Sequence, residues 1–332
     1  MTSTKPNDAA PSSAGSGAMS PAAIHLSIVI VTWNNARIIH ECLNSLASVD
    51  NTSGLEIIIV DNDSSDGTPE LIQNTFPHVT LVRSPANVGF AAGNNAGIRV
   101  ARGDYLCLIN SDVVVPQGCV EKLLQYIDEH HDIGVLGPKM ILPDGSIGRS
   151  CLRFPTVANW IWRALALDSI FKRSHRFGAY LMTYFKYDRI TDVDVLTGWF
   201  WVVRRQAISQ VGLLDERFFM YGEDMDWCKR FKKAGWRVVF YPEAAAIHHC
   251  GASSSKAPSR FYVERTRAGL EYCKRHHNPV AFAGFRLAVC LHEAIRLLGY
   301  GLRWLLEPRR ADAAFKVRRS WACLCWLLGL VQ

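Results

Sequence analysis

From residue 26 onward, uninterrupted aliphatic runs alternate with segments of helical periodicity, and that alternation leaves the chain very few folds. The runs LSIVIVT (26–32), LEIIIV (55–60), 79–82 and 105–109 predict strands, with a further one at 133–136. Between them, apolar positions such as Ile38, Ile39, Cys42, Leu43 and Leu46 repeat at helical spacing, and helices are predicted over 35–49, 65–76, 88–101 and 116–130. A strand that is apolar at every position must be covered on both faces, and helices crossing over between parallel strands provide the cover. The expectation is an α/β fold: a Rossmann-like, mostly parallel sheet with helices on both faces, wound right-handedly. Beyond it, residues 155–185 read as aromatic-rich and irregular. Strands are predicted at 193–196, 200–203, 238–241 and 244–247, and a helix from about 223 to 234.

Composition removes several classes of function. Ten cysteines occur with no C-x-x-C pair, which argues against a zinc ribbon or a thioredoxin-type redox site and for reduced, mostly buried thiols. Residues 1–24 are Ser/Ala/Pro/Gly-rich, with one lysine and no apolar core, so they predict a disordered leader and not an export signal. Arg286, Glu293, Arg296 and Arg303 interrupt the greasiest stretch, which disfavours a spanning helix. The net charge of +7 is unevenly spread: residues 256–332 carry 14 Lys and Arg against 5 Asp and Glu, and the rest of the chain is slightly acidic. This tail is also rich in Leu and Trp. Such a basic amphipathic segment suits the anionic face of a membrane; packing of its apolar stripe on the body is the alternative. No recognisable binding motif accompanies the charge, so nucleic acid is not an expected partner.

In open α/β sheets ligands sit beyond the carboxyl ends of the strands. The residues there are polar: Thr32, Trp33 and Asn34 after the first strand; Asp61, Asn62 and Asp63 after the second; Asn87 and Gly89 after the third; Asn110, Ser111 and Asp112 after the fourth. Each alone is an ordinary turn or cap residue, but their convergence on one edge points to a nucleotide crevice. The first turn lacks G-x-G-x-x-G and the chain lacks G-x-x-x-x-G-K-[ST], so a bound diphosphate must be neutralised by other means. A divalent cation, Mg or Mn, held by Asp112 with oxygen or imidazole co-ligands would do so. A second dense segment places Glu223, Asp224 and Asp226 at the start of a helix. Capping and the helix dipole account for one or two of these acids. Three of them among Phe218, Phe219, Tyr221 and Trp227 suggest a sugar site with one carboxylate as general base. His248 and His249 follow the last strand, where an imidazole can complete a cation site.

Seven strings carry a family resemblance: SIVIVTWNN (27–35), IIIVDNDSSDGT (57–68), NVGFAAGNNAGI (87–98), LINSDVVV (108–115), LTGWFWVVRR (196–205), GLLDERFFMYGEDMDWCKR (212–230) and IHHCGASS (247–254). In this order they resemble the inverting nucleotide-sugar glycosyltransferases of family 2, with the GT-A fold, and among them the bacterial rhamnosyltransferase-like branch. The resemblance implies a glycosyltransferase domain over 25–255, with a nucleotide half over about 25–140 and an acceptor half over about 141–255, followed by the basic helical tail over 256–332. It implies Asp61 at the nucleobase with Thr32 and Asn34 nearby, and Asn87 and Asn94 lining the nucleoside-diphosphate pocket. Asp112 matches the last acid of the family's D-x-D, and Asn110 replaces the first, so more of the metal grip is expected from His248, with His249 the lesser candidate. Asp224 matches the catalytic base, Glu223 and Asp226 would support it or bind acceptor hydroxyls, and Trp199 falls in the acceptor-facing loop. The implied reaction is an in-line displacement that transfers a sugar, L-rhamnose from dTDP-L-rhamnose in this branch, to a saccharide or polyprenyl-linked saccharide in cell-surface polysaccharide synthesis. A UDP-hexose donor and a non-catalytic glycan- or nucleotide-binding scaffold are the alternatives. The tail would hold such an enzyme in the cytoplasm, peripherally on the inner face of the cell membrane.

Overall fold

The computed structural model describes residues 25–49, 54–251, 258–307 and 311–330. The expected leader over 1–24 lies outside the described residues, as does the start of the tail up to residue 257. The first half follows the predicted alternation: β1 (Leu26–Thr32), α1 (Ala36–Leu46), β2 (Leu55–Asp61), α2 (Thr68–Thr75), β3 (Thr80–Arg83), α3 (Gly89–Val100), β4 (Tyr105–Asn110), β5 (Val113–Val114), α4 (Cys119–Glu129) and β6 (Ile133–Ile141). Successive residues of β1 and β2 divide between two cores, with Val29, Ile58 and Val60 on one face and Ile28, Ile30 and Ile59 on the other. That division is why the central residues of these strands, 28–31 and 57–60, are apolar without alternation. The second half continues with β7 (Cys151–Leu152), α5 (Val157–Ala164), α6 (Leu167–Ile170), β8 (Thr191–Asp192), β9 (Val195–Leu196), β10 (Phe200–Arg204), α7 (Arg205–Val211), α8 (Glu223–Lys233) and β11 (Arg237–His248). Three helices close the chain: α9 (Pro258–His276), α10 (Pro279–Leu306) and α11 (Ala311–Leu327).

The main sheet runs β3-β2-β1-β4-β10-β6-β11-β5, with β8 paired to β11. It is mostly parallel as expected, but β10 is reversed relative to both β4 and β6. The reversal positions the site. Phe200 pairs with Ile109, so the residues entering β10 lie beside those leaving β4. β11 runs parallel to β6, and His248 at its end pairs with Val113 just past β4, which brings that histidine to the same edge.

Two sequence expectations are corrected here. Residues 155–185 are not irregular throughout, because Thr156 and Asn159 form a reciprocal capping box that starts α5. The strands expected at 238–241 and 244–247 are one strand, β11, whose register against β6 shifts between Tyr241 and Ala245. Pro242 falls in that interval and has no N–H for the ladder, so the chain bulges past it and resumes pairing.

The tail is built into the body. Cys273 of α9, Phe285 and Val289 of α10, and Cys323 of α11 join the same core cluster as Val29. α10 packs on α5, α9 and α11, and Asn278 caps it by accepting from the Ala281 N–H. The packing alternative is thus realised, yet α10 also turns Leu287, Leu291, Ile295, Leu298, Leu302 and Leu305 outward. Among the described residues, no helix is long and apolar enough to cross a membrane.

Candidate active site

A cavity of about 1060 Å³ opens at the edge where β1 and β4 end. Thr32, Trp33, Asn62, Asn87, Asn110 and Asp112 line one part of it; Trp199, Tyr221, Glu223, Asp224 and His248 continue the wall. Side-chain bonds between loops hold this edge in shape. Asp66 accepts from Ala36 N and Thr68 N, each at 3.1 Å, so one carboxylate serves the first turns of α1 and α2. Asn62 Nδ2 donates to Asn87 Oδ1 at 3.1 Å and to Gly89 O at 3.0 Å, and its Oδ1 accepts from Val88 N. Gly89 sits at φ +87°, where a Cβ would run into the backbone oxygen of Phe219. That oxygen accepts from Phe90 N at 2.7 Å, so the loop entering α3 is pinned to the segment that carries Asp224. Only glycine allows the approach.

Asp112 and His248 face each other across the sheet edge. His248 Nε2 lies 3.1 Å from Asp112 Oδ1 and 3.4 Å from Asn110 Nδ2. Burial alone would lower the imidazole pKa, but hydrogen bonds with Asp112 and Cys250 and the charge of Asp112 outweigh it and raise it to about 9. Trp199 is buried and stacks on the His248 ring with centroids 5.4 Å apart, which fixes the plane of the imidazole. His249 turns the other way, to 3.7 Å from Glu41, and does not line the cavity. Among the described residues, no group of three or more His, Cys, Asp or Glu could hold a metal ion. A carboxylate and an imidazole are two ligands, which suits a cation that draws its remaining oxygens from phosphate and water.

α8 begins directly after Gly222, which at φ +82° turns the chain into the helix. Met225 N donates to Asp224 Oδ1 at 2.8 Å. Burial pushes the Asp224 carboxyl from 3.8 up to about 6, against backbone hydrogen bonds from Met225 and Gly198 that lower it. Glu223 is pushed well above the usual carboxylate range, first by burial and then by the Asp224 charge, and its Oε2 is buried without a hydrogen-bond partner. Adjacent acids whose environments separate their titrations are suited to divide the tasks of proton acceptor and hydrogen-bond donor.

Of the sequence-predicted residues, Thr32, Asn87, Asn110, Asp112, Trp199, Glu223, Asp224 and His248 meet at the cavity, whereas Asn34, Asp61, Asn94 and Asp226 do not line it. Asn34 joins the loops after β1 and β2: its Oδ1 accepts from Ser65 N at 2.7 Å and its N–H donates to Ser64 Oγ at 2.8 Å. Asp61 is buried and accepts from Ser64 N at 3.1 Å. Asn94 is buried in α3, donating to Phe90 O one turn back at 2.9 Å. Asp226 is fully buried between Arg230 Nε and His276 Nε2, both at 2.8 Å, and so ties α8 to α9. Residues two apart on a helix point about 200° apart, which is why Asp224 and Asp226 cannot share one wall. Trp199, expected in an acceptor-facing loop, lines the cavity and stacks on the His248 ring. Asn62 belongs to the site and was visible among the post-strand amides. Tyr180 and the arginines 163, 260, 265, 296 and 319 also line the cavity, and no local pattern marked them, because five separate segments supply them.

Comparison with known proteins agrees with this geometry. The sequence profile described as glycosyl transferase family 2 matches residues 27–212. An N-acetylglucosaminyl-diphospho-decaprenol L-rhamnosyltransferase of Mycobacterium tuberculosis (strain ATCC 25618 / H37Rv) is 30% identical over 268 residues, covering 76% of this chain and 85% of that protein. A low-salt glycan biosynthesis hexosyltransferase of Haloferax volcanii is 22% identical, covering 72% of this chain and 71% of that one. Among solved structures, a mannosyltransferase from Pyrobaculum calidifontis, in complex with GDP-Man and Mn2+, superposes with a TM-score of 0.53 at 16% identity over 91% of this chain and 87% of its own. That last likeness is one of fold.

Proposed function

The chain belongs to glycosyl transferase family 2 and is a glycosyltransferase of GT-A fold, and from that premise we propose that it moves L-rhamnose from dTDP-L-rhamnose to a lipid-linked saccharide, inverting the anomeric carbon. The observation that carries this reading is the shared cavity, which holds the Asp112–His248 pair and Asp224 on one continuous wall. The M. tuberculosis relative, at 30% identity, supports the sugar and the class of acceptor.

In this reading Thr32, Asn62, Asn87 and Asn110 bind the donor at the sheet edge. Asp112 and His248, 3.1 Å apart and facing the cavity, would hold a divalent cation such as Mg or Mn in place of the proton they share in its absence. When bound there, the cation supplies positive charge to the departing nucleoside diphosphate. Asp224 takes the proton of the acceptor hydroxyl as it attacks opposite the leaving group, and a pKa of about 6 keeps it ionised yet basic at neutral pH. Glu223, kept neutral by its surroundings, donates a hydrogen bond to an acceptor oxygen. Trp199 holds the His248 ring in place.

A lipid-linked acceptor requires a membrane surface. Leu298, Leu302, Leu305 and Leu306 share one outward face of α10, and Trp304 of α10 and Trp321 of α11 are also exposed, in the most basic part of the chain. This composition supports peripheral docking on the anionic inner leaflet. Changing Leu298, Leu302 and Leu305 together to Glu should abolish flotation with anionic liposomes; unchanged flotation would remove α10 as the docking element.

The catalytic reading is tested by incubating the enzyme with dTDP-L-rhamnose or UDP-hexoses and a polyprenyl-diphosphate-linked saccharide, measuring released nucleoside diphosphate. Acceptor-dependent release from dTDP-L-rhamnose is expected. Release from a UDP-hexose instead would reassign the donor, and no release from any donor would leave the scaffold reading standing.

A further inference from the structure

The cavity extends past Asp224. It continues between α5, α9, α10 and α11, where Arg163, Arg260, Arg265, Arg296 and Arg319 line it. Tyr180 connects the two regions: its hydroxyl contacts Met225 Sδ at 3.8 Å and lies in the fields of Asp224, Arg163 and Arg265.

These arginines are poorly neutralised. Arg163 makes one long contact, 3.5 Å, with Asp168. The neighbouring acids pair elsewhere among the described residues: Glu264 with Arg267, Glu293 with His292 and Glu307 with Arg303. Arg319 lies 4.0 Å over the Tyr262 ring, with Arg265 5.6 Å from the same ring. Arg296 donates to His292 Nε2 at 2.6 Å and to Tyr300 Oη at 3.0 Å. The acid lining this part of the cavity is Glu293, which accepts from Tyr262 Oη at 2.6 Å; its second oxygen and Arg319 Nε are buried without hydrogen-bond partners. Burial, and after it the charges of Arg296, Arg163 and Arg319, press the His292 pKa down to about 3.

Several guanidinium groups, of which Arg260 and Arg265 are exposed, line one open cavity and repel one another, and an anion of matching geometry relieves that repulsion. Phosphate oxygens accept paired N–H bonds from guanidinium, and a diphosphate offers several such oxygens with two charges. The walls around the arginines include the apolar Trp160, Ala288 and Val289, and further along α10, outside the cavity, Leu298 and Leu302 are exposed. We propose that this arginine-lined chamber binds the diphosphate of a polyprenyl-diphosphate-linked saccharide, presenting its sugar hydroxyl to Asp224 and directing its hydrocarbon chain along the tail helices. The inference rests on the transferase reading above and narrows its acceptor: the enzyme requires the diphosphate and not the saccharide alone.

The test uses full-length enzyme and two acceptors with the same saccharide, one joined to a farnesyl chain through diphosphate and one an alkyl glycoside without phosphate. Arg265→Gln and Arg296→Gln should each raise the KM for the diphosphate acceptor by about 10- to 100-fold, the scale of losing a hydrogen bond to a charged group. The KM values for the alkyl glycoside and for the donor should not follow. Inorganic pyrophosphate should compete with the diphosphate acceptor in wild type and less in the variants. Equal effects on both acceptors, or a raised donor KM, would overturn the proposal. So would loss of binding to anionic phospholipid vesicles with an unchanged acceptor KM, which would assign the arginines to lipid headgroups. If the transferase reading itself failed, wild type would show no acceptor-dependent release. Calorimetric titration of the diphosphate-linked saccharide into wild type and variants would then still decide the chamber: weaker binding to the variants supports it, equal binding overturns it.

Discussion

Replacing Asp224 by Asn should move activity and stability in opposite directions. Asn keeps an oxygen for the Met225 N–H, a 2.8 Å bond in the folded chain, but cannot take a proton at working pH. Loss of a general base costs about 10²–10⁴ in rate. The stability effect follows from the raised carboxyl, which goes from 3.8 to about 6 on folding, mainly through burial. The folded chain therefore binds this proton more tightly than the unfolded chain does. Its stabilising contribution is complete below about pH 4 and is lost as pH rises to about 6. At about 1.4 kcal/mol per pKa unit the ionised side chain would cost the fold about 3 kcal/mol, and partial solvent access and coupling to Glu223 reduce the expected figure to about 1–2 kcal/mol. The variant should match wild type in stability near pH 4 and exceed it by that amount near pH 8. Initial rates of nucleoside diphosphate release against pH, with urea unfolding at the two pH values, give both readouts. The wild-type rate should rise with pH through about 6, the value burial gives Asp224. A variant within tenfold of the wild-type rate, or one folded normally but less stable than wild type near pH 8, would refute the reasoning.

Other expectations follow from neighbouring contacts. Asp112→Ala and His248→Ala should each remove chelator-sensitive binding of the nucleoside diphosphate, measured by calorimetry. His249→Ala should leave it intact because that ring faces Glu41, and the reverse order would transfer the ligand role. Asp226→Asn removes the buried charge facing Arg230 and His276, so thermal unfolding should show a loss of about 3–5 kcal/mol with an unaltered donor KM; a selective rise in that KM would return Asp226 to the site. Gly89→Ala places a Cβ against the Phe219 carbonyl at a positive φ. It should cost about 1–3 kcal/mol and weaken donor binding, and a variant with wild-type donor affinity would show that the pinning of α3 to the Asp224 segment is dispensable.

The order of strands and helices, and the edge where ligands bind, were legible in the sequence. A strand buried on both faces is apolar at every position, as Ile28, Val29 and Ile30 are, and a parallel sheet ends its strands on one side. Thr32, Asn87, Asn110 and Asp112 could therefore be brought together without any knowledge of packing. Pairing between distant segments was not legible. Asp226 has the same spacing from Asp224 whether it meets a ligand or meets His276, fifty residues on in α9, and only the docking of that helix decides between them. Asn34 and Asn94 are likewise amides whose partners, Ser65 and Phe90, depend on loop and helix geometry that residue type leaves open. The same limit applied to the basic tail. Its charge was countable from composition, but the direction each arginine faces depends on how α9, α10 and α11 pack on α5. That packing turns Arg265, Arg296 and Arg319 toward the cavity and leaves the leucines of α10 outside. Periodicity records which residues share a face of a helix; it does not record which face the rest of the molecule covers.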